Sequence, residues 1–266
     1  MIVAAVLSEL TRLRQPRLLA VWLGLMTLFA VMINTIMIAF ATRGGSLPPG
    51  APGVAFPTLA ELESSSGLMA GLAAASSMFG VVTLSIWAVV TAADYSSGLV
   101  RLLVAAEPHR WRLIAGKVVA LGILTAAATT VAAIVNVLAV LPAAGAAGIS
   151  TTAWGSDLVA VVAGAWVNLF LALCVWGVLG LVIATLARSA AVAIAVGVGY
   201  VLVFESIVKM LEDVPSDWLL GTILNAVASG GTAAVTYGTA LALALGYVTL
   251  GLVLAGAVFI RRDVTD

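Results

Sequence analysis

The stretch that decides the fold runs from Leu158 to Ala187 and reads LVAVVAGAWVNLFLALCVWGVLGLVIATLA. It contains no charged residue, and it exceeds the roughly 20 apolar residues that a helix needs to cross a bilayer. In lipid every backbone polar group has to be satisfied within its own segment, so an uninterrupted apolar run has to be helical. A strand of a membrane β-barrel would instead alternate polar and apolar residues over about ten positions. We therefore predict a transmembrane helix over 158–187.

Five further runs of the chain are similar in length and hydropathy. Of its 266 residues, 63% are hydrophobic and 9% are charged, whereas soluble domains are about 45–50% apolar and about 25% charged. The first run is much longer than the apolar core of a signal peptide, so we expect it to be a retained span. The sequence predicts an all-α integral membrane domain with six transmembrane helices, at about 18–41, 68–93, 113–141, 158–187, 190–208 and 233–260.

Positive charge is sorted along the chain. Cytoplasmic segments of membrane proteins carry an excess of Lys and Arg. If the N-terminus lies inside, the basic residues of the inner segments are Arg12, Arg14, Arg17, Arg101, Arg110, Arg112, Lys117, Arg188, Arg261 and Arg262. Only Arg43 and Lys209 then lie outside. We therefore expect both termini in the cytoplasm.

Residues 2–14 precede the first predicted span and have an amphipathic pattern. One helical face carries the apolar residues Ile2, Val3, Val6, Leu7, Leu10 and Leu13. The residues that lie largely opposite are Ser8, Glu9, Thr11 and Arg12. The pattern favours an amphipathic helix that lies in the membrane interface, and the alternative is an ordinary basic flank of the first span.

The segment between the second and third predicted spans has an apolar face of its own. Ser96 or Ser97 can cap the start of a helix, and Pro108 ends it. The residues that share one face at helical spacing are Leu99, Leu102, Leu103 and Ala106. In a loop surrounded by water such an apolar face would have nothing to pack against. We therefore expect this short cytoplasmic helix to contact either lipid headgroups or a soluble partner protein.

A few polar residues lie inside the predicted spans. Glu205 and Lys209 are four residues apart in the favourable order for a helical ion pair. Glu205 lies 17 residues after Arg188, or about 25 Å along a helix, so we expect its carboxylate to reach water near the outer interface. Asn34, Asn136 and Asn168 are expected to form interhelical hydrogen bonds. A short outer helix is expected within residues 218–232.

Several kinds of chemistry are absent from the sequence. No Gly-x-x-x-x-Gly-Lys-Ser/Thr loop occurs, so the chain does not bind ATP by a P-loop. Its one histidine, His109, and its one cysteine, Cys174, exclude a His-Glu-x-x-His zinc site and an intrachain disulfide. We expect no catalytic residue, no metal site, no cofactor in this chain and no nucleic-acid partner.

The stretch from Asp94 to Lys117 resembles the signature of the ABC-2 family of ABC-transporter permeases. That signature has an acidic residue, Gly-Thr, Arg-x-Leu-Leu, a Pro, an Arg and a Gly/Ala-Lys that opens the third span. The residues that match it in order are Asp94, Gly98, Arg101, Leu102, Leu103, Pro108, Arg110, Gly116 and Lys117. Leu99 stands where the family usually has Thr. Residues 8–14 are similar to the elbow helix of that family, and residues 259–263 are similar to its usual ending.

The resemblance implies the transmembrane subunit of a bacterial ABC exporter. Residues 1–266 would form a single ABC-2 type transmembrane domain in the cytoplasmic membrane, with an elbow helix at 1–17 and a coupling helix at 96–106. A second permease subunit, identical or paralogous, would pair with it. Two separate ATPase subunits would bind ATP and Mg²⁺ and seat the coupling helix. The complex would export a hydrophobic or amphipathic small molecule, a peptide or a lipid-like substrate.

Two sets of residues are candidates for this function. The residues that would couple to the ATPase are Asp94, Gly98, Leu99, Arg101, Leu102, Leu103, Pro108 and Arg110. The candidates for the pathway or an outer gate are Asn34, Asn168, Glu205 and Lys209. Two other functions stay open from the sequence: a secondary transporter driven by an ion gradient, which usually has ionisable residues or broken helices near the midplane, and a non-transporting scaffold or immunity subunit.

Overall fold

The computed structural model describes residues 2–42, 57–99, 102, 110–211 and 215–261. All regular structure in these ranges is helical. In chain order the α-helices are α1 (Ile2–Leu13), α2 (Pro16–Thr42), α3 (Leu59–Glu63), α4 (Ala70–Ala74), α5 (Ser76–Ser96), α6 (Arg110–Ala147), α7 (Leu158–Ala187), α8 (Ala190–Gly199), α9 (Glu205–Met210), α10 (Leu220–Ser229) and α11 (Tyr237–Arg261). Short 3₁₀ turns occupy Gly67–Met69 and Thr152–Gly155, and a π-helical segment occupies Tyr200–Phe204.

Helices α2, α5, α6, α7 and α11 are long and apolar enough to cross a membrane. Their outward-facing side chains include many large aliphatic residues. Soluble monomeric proteins rarely expose so much contiguous apolar surface. The chain is therefore an all-α protein of the membrane class, which confirms the fold class predicted from its hydropathy.

Helices α5 and α7 pack against each other at the centre of the bundle, each placing a tryptophan on a glycine of the other. A Cβ atom on Gly80 would lie 2.3 Å from the Trp176 ring, and one on Gly177 would lie 2.4 Å from the Trp87 ring. Farther along α7, a Cβ on Gly180 would lie 2.2 Å from the carbonyl oxygen of Leu84. Small residues let membrane helices approach closely and so gain van der Waals contact. This pairing makes α5 and α7 the core of the fold.

The other long helices surround this pair. On one side α2 packs along α6, and the two share a hydrogen bond from Asn34 Nδ2 to Asn136 Oδ1 of 2.9 Å. On the other side α8 packs on α5, with Gly197 against the Leu84 side chain. Helices α10 and α11 pack on α7, and α1 lies along the first turns of α6. The polar residues considered below lie in these helix–helix contacts.

The second and third predicted spans differ from the structure at their ends. The run 68–93 begins as a 3₁₀ turn and the short α4, and only after Ala75 does the long α5 start. Hydropathy cannot detect this break because the residues on both sides of it are apolar. The third helix continues through Pro142 to Ala147, beyond the predicted end at 141. A proline in a membrane helix is tolerated where neighbouring groups satisfy the freed carbonyl.

Residues 190–210 are helical throughout, but the helix is not uniform. The α-helical turns of α8 and α9 are separated by the π-helical segment, which inserts a wider turn immediately before Glu205. Each of the two α-helical pieces is too short to count as a span by itself. The short helix expected within 218–232 is present as α10, which ends at Gly230 in the left-handed conformation, φ +76°.

Candidate functional site

Four charged side chains from three helices form a closed ring, which we call the charged ring. Arg12 Nη1 on α1 lies 2.7 Å from Glu9 Oε1 on the same helix, and its Nη2 donates to Asp94 Oδ1 at the end of α5. Lys117 Nζ on α6 lies 2.7 Å from Asp94 Oδ2 and 3.1 Å from Glu9 Oε2. Each carboxylate therefore contacts both cations, and each cation contacts both carboxylates.

Helix packing brings these side chains together. Helix α1 can lie close to α6 because Gly116 has no side chain; a Cβ atom there would be 3.0 Å from the Cβ of Ala5. Asp94 lies in the last turn of α5, and Lys117 lies in the second turn of α6. These two residues stand near the two ends of the segment that joins α5 to α6. The charged ring thus ties α1 to both ends of that segment.

Burial makes the members of the charged ring depend on one another. Glu9, Asp94 and Lys117 are 7%, 5% and 8% exposed, and about a third of the Arg12 side chain is exposed. Two formal negative charges balance two positive ones. An ion removed from water without its partner is destabilising by several kcal/mol, so the four charges have to remain together. The arrangement suits a mechanical connection between helices.

The described residues of the charged ring form ion pairs and no metal site. Within the residues that the structure describes, no group of three His, Cys, Asp or Glu side chains is placed to hold a metal ion. Both carboxylates of the charged ring are engaged by cations. What the site can do chemically is hold α1, α5 and α6 in one relative position.

The helix predicted within residues 2–14 is present as α1. Glu9 and Arg12 pair with charges of α5 and α6, whereas Val3 and Leu7 are exposed at 69% and 59%. An interfacial helix would present such apolar side chains to lipid, so the interfacial location stays a prediction.

The predicted coupling segment is only partly described. Asp94 belongs to the charged ring, Gly98 turns the chain with φ +69°, and Leu99 is half-buried. Leu102 is 69% exposed. Arg101, Leu103 and Pro108 lie outside the described residues, and Arg110 begins α6.

Ser96 and Ser97 lie at the C-terminal end of α5. Ser96 is the last residue of α5, and the Ser97 hydroxyl donates to the carbonyl of Ala93 at 2.7 Å. The Ser96 hydroxyl also donates to that carbonyl, at 3.2 Å. The residues that either serine would cap lie mostly outside the described ranges, so a cap at the start of the next helix stays a prediction.

Glu205 is buried, contrary to the expectation that it reaches water. It is 2% exposed, and its Oε1 accepts a hydrogen bond from the backbone N–H of Gly221 in the first turn of α10. Tyr200 acts in the same way, since its hydroxyl oxygen accepts from the N–H of Leu220 at 3.2 Å. The predicted pair with Lys209 is confirmed at 3.4 Å. Glu205 therefore binds the positive end of the α10 dipole instead of solvent.

The three asparagines form interhelical hydrogen bonds, as predicted. Asn34 bonds to Asn136, whose own Nδ2 donates to the carbonyl of Leu68 at 2.9 Å. Asn168 Oδ1 on α7 accepts from the hydroxyl of Tyr237 on α11 at 2.7 Å. The pathway candidates Asn34, Asn168 and Glu205 thus belong to three separate hydrogen-bonded groups, and no described hydrogen bond joins one group to another.

A family model matches residues 27–265, which is nearly the whole chain, and its description is "Protein of unknown function (DUF2705)". The chain belongs to this family. No curated protein matches the chain. Membership of DUF2705 assigns no activity, so the function has to be argued from the site.

Sequence reasoning did not identify the charged ring of this DUF2705 protein. Asp94 and Lys117 were noticed only as parts of a family signature, and Glu9 and Arg12 only as the polar side of an amphipathic segment. The signal that could have found them is the rarity of acids on that side. Glu9 and Asp94 are among the few acidic residues in inner segments that otherwise carry an excess of Lys and Arg. Tyr200 and Gly221, which complete the Glu205 site, carry no comparable signal.

Proposed function

We propose that this chain is the membrane-spanning permease subunit of an ATP-driven ABC exporter of the ABC-2 type. The observation that carries the proposal is the charged ring, because it ties α1 to both ends of the segment 97–109 that would contact the ATPase. A push on that segment is then transmitted to the ends of α5 and α6 and to α1 together. ATP hydrolysis belongs to separate subunits, in agreement with the missing P-loop in this chain.

The proposal includes six spans. Besides the five long helices, the continuous helix over residues 190–210 is about 31 Å long at 1.5 Å per residue, which is enough for the hydrocarbon core of a bilayer. Six spans put both termini and the coupling segment on one side. In the proposal that side is the cytoplasm, where membrane proteins carry an excess of Lys and Arg, and the membrane is the bacterial cytoplasmic membrane.

In this proposal α1 is the elbow helix, and residues 96–106 contain the coupling helix. Leu102 supports the second assignment, since it is 69% exposed beyond the end of α5, where an apolar side chain is free to enter a cleft of a partner. Two ATPase subunits and a second permease subunit complete the complex. The substrate is a hydrophobic or amphipathic molecule that leaves the cell.

One observation favours the alternative of an ion-gradient-driven transporter. Glu205 is a buried carboxylate in a membrane helix that is interrupted by a π-helical segment, and both features are common where transporters bind ions. Glu205 is already bound to Gly221 and Lys209, however, and lies toward the end of its span. We therefore give it a positioning role in the proposed permease.

The first test is co-purification and energy dependence. The chain is co-expressed with a P-loop ATPase encoded beside it, and we expect the two to co-purify and to support ATP-dependent transport in vesicles. Recovery of the chain without an ATPase, together with transport that stops when the proton gradient is collapsed and ATP is retained, would overturn the proposal.

The second test concerns Leu102. We expect Leu102→Asp to insert normally and to abolish transport-coupled ATP hydrolysis, because a charge on the docking face cannot enter an apolar cleft. The matched control is Leu211→Asp, an exposed leucine at the other end of the molecule, which should retain coupling. Equal ATPase coupling in Leu102→Asp and the wild type would show that this segment does not dock on the ATPase.

A further inference from the structure

Helices α4 and α5 follow each other in one apolar run, and the backbone ladder is broken between them at Ala75. The N–H of Ala75 donates to the carbonyl of Gly71 at 3.0 Å, and the N–H of Phe79 donates to the carbonyl of Ala75 at 3.0 Å. Three bonds are missing between these two in this described part of the chain, since the N–H groups of residues 76–78 do not reach the carbonyls of residues 72–74. The first donors of α5 and the last acceptors of α4 are thus left without helical partners.

This break is enclosed by the protein. The four residues around it are at most 7% exposed: Ala74, Ala75, Ser76 and Ser77. Buried backbone N–H and C=O groups are nearly always paired, with ordered water where no protein group is available. In membrane proteins, non-helical backbone is tolerated where it is buried in protein or lines a water-filled cavity. The groups at the break therefore need hydrogen-bonding partners that the described part of the chain does not supply.

Helix α10 turns a polar face toward the break and packs against both α4 and α5. Asn225 Oδ1 accepts from the hydroxyl of Ser76 at 3.5 Å and from that of Ser229 at 3.3 Å. Thr222 lies three residues before Asn225 and so on the same face of the helix. Since Ser229 is exposed, polar side chains lead from the protein surface to the break.

Two side chains at the break have unused hydrogen-bonding capacity. The Oγ1 of Thr222 is buried and has no hydrogen-bond partner among the described residues. Ser77 is 7% exposed, and its hydroxyl likewise makes no hydrogen bond within the described ranges. Because helical side chains tilt toward the N-terminus of their helix, the Ser77 hydroxyl is directed back toward the break. Both hydroxyls point to a ligand that is small and polar.

The chemistry of the break selects a ligand that both donates and accepts hydrogen bonds. The N–H groups at the start of α5 need an acceptor, whereas the carbonyls at the end of α4 need a donor. An anion would satisfy only the N–H groups, and it would lie near the buried carboxylate of Glu205, which binds Gly221 beside Thr222. A metal cation would satisfy only the carbonyls. A water molecule satisfies both sets.

We propose that ordered water binds at the break between α4 and α5 and replaces the three missing backbone bonds. The water site is bounded by residues 72–78 and by the Thr222 and Asn225 side chains, and it opens to the surface at Ser229. The proposal puts water inside a run, 68–93, that hydropathy assigns to lipid. It does not depend on whether the chain is a transporter, so its test is separate from that of the permease proposal.

The first experiment measures thiol reactivity of the whole chain in lipid nanodiscs, in a Cys174→Ser background. The probe is iodoacetamide, which is small and uncharged and reacts with the thiolate. Thiolates form in contact with water and not in an apolar interior, so we expect Ser77→Cys to react about tenfold faster or more than Thr83→Cys. Thr83 is the matched control because it is 0% exposed and lies six residues farther along the same helix, beyond the break.

The second experiment removes a hydroxyl from each of two threonines. Thr222 and Thr83 both carry a buried Oγ1 without a partner in the described residues, and only Thr222 lies beside the break. If water binds Thr222, Thr222→Val loses a hydrogen bond, and we expect the unfolding temperature to fall by about 2–4 °C. Thr83→Val should leave the unfolding temperature unchanged or raise it, because valine is at least as favourable there as an unbonded hydroxyl.

A dry break would overturn the proposal, and each measurement can reveal one. Equal reaction rates of Ser77→Cys and Thr83→Cys would mean that no water reaches the first turn of α5. An unfolding temperature of Thr222→Val equal to or above that of the wild type would mean that water does not bind Thr222. If Ser77→Cys fails to fold, hydrogen exchange of the wild-type chain replaces it. The amides of residues 76–78 should then exchange about tenfold faster or more than those of residues 84–88, which lie inside the continuous helix, and equal exchange would count against the proposal.

Discussion

At the scale of single residues, the polar groups of this chain act through their partners. Lys117 is buried between two carboxylates, Glu9 and Asp94, and neither acid has enough exposure to be hydrated in its absence. Lys209 also contacts a buried carboxylate, but a third of its own side chain is exposed to the surroundings. The two lysines therefore differ in how much their removal should matter.

We expect Lys117→Met to lower the free energy of unfolding by about 3–5 kcal/mol, because it leaves two buried carboxylates with one cation. Thermal unfolding in detergent micelles measures the change. Lys209→Met is the comparison and should lose less, because Glu205 keeps its hydrogen bond from the Gly221 N–H at the start of α10. The double variant Asp94→Asn with Lys117→Met should be less destabilised than the sum of the single variants, and strict additivity would show that the two residues do not interact.

The Glu205 site depends on a glycine. A Cβ atom on Gly221 would lie 2.4 Å from Glu205 Oε2, whereas one on Gly199 would contact nothing within 4 Å. We expect Gly221→Ala to lower the unfolding temperature, because the carboxylate must retreat from the first N–H groups of α10. Gly199→Ala is the control. Its new methyl group has no close neighbour, so the unfolding temperature should stay unchanged or rise. Similar unfolding temperatures for the two variants would contradict the close contact.

At the scale of elements, the fold depends on how α5 and α7 interlock. Gly177 receives the ring of Trp87, and Gly80 receives that of Trp176. Trp87 is also fixed by a hydrogen bond from its Nε1 to Thr125 Oγ1 on α6, 3.1 Å long. The tryptophan cannot move aside without breaking that bond, so this contact determines the spacing of three helices.

We expect Gly177→Ala to destabilise the bundle by about 1–3 kcal/mol, the usual effect of overpacking. Gly164→Ala on the same helix, where a Cβ meets nothing within 4 Å, is the control and should be neutral or slightly stabilising. Combining Gly177→Ala with Trp87→Phe should recover part of the loss in the unfolding temperature. No recovery would show that the strain lies elsewhere in the contact.

At the scale of the whole molecule, the decisive question is whether residues 190–210 cross the membrane. If they do, the turn at Ser189 and the segment at Asp217 lie on opposite sides, and Ser156 lies on the same side as Asp217. If they do not, Ser189 and Asp217 lie on the same side. The helix is long enough, but the π-helical segment divides it into two α-helical pieces.

Cysteine labelling distinguishes the two arrangements. In a Cys174→Ser background, we expect a membrane-impermeant maleimide to label Ser156→Cys and Asp217→Cys in intact cells. Ser189→Cys should react only after the cells are permeabilised. Labelling of Asp217→Cys and Ser189→Cys under the same condition would reduce the number of spans to five and remove a support of the permease proposal.

The sequence by itself determined the class of the protein and the places where most long helices run. Those features depend on the hydropathy of neighbouring residues, which is local and additive along the chain. The run 158–187 was predicted to the residue because both its ends are polar and its interior is uninterrupted. Boundaries inside continuous apolar sequence, such as the break at Ala75, carry no such signal.

Only the tertiary structure decided which polar residues meet. Arg12 and Asp94 are 82 residues apart in the chain, and Glu9 and Lys117 are 108 residues apart. Whether such charges pair or face water depends on how α1 packs beside Gly116. The sequence pattern within one segment does not predict that packing. The same holds for Glu205, whose partner Gly221 belongs to a separate helix. The composition of a segment is enough to predict that it is apolar and helical. Which buried charges pair is decided only by how the helices pack.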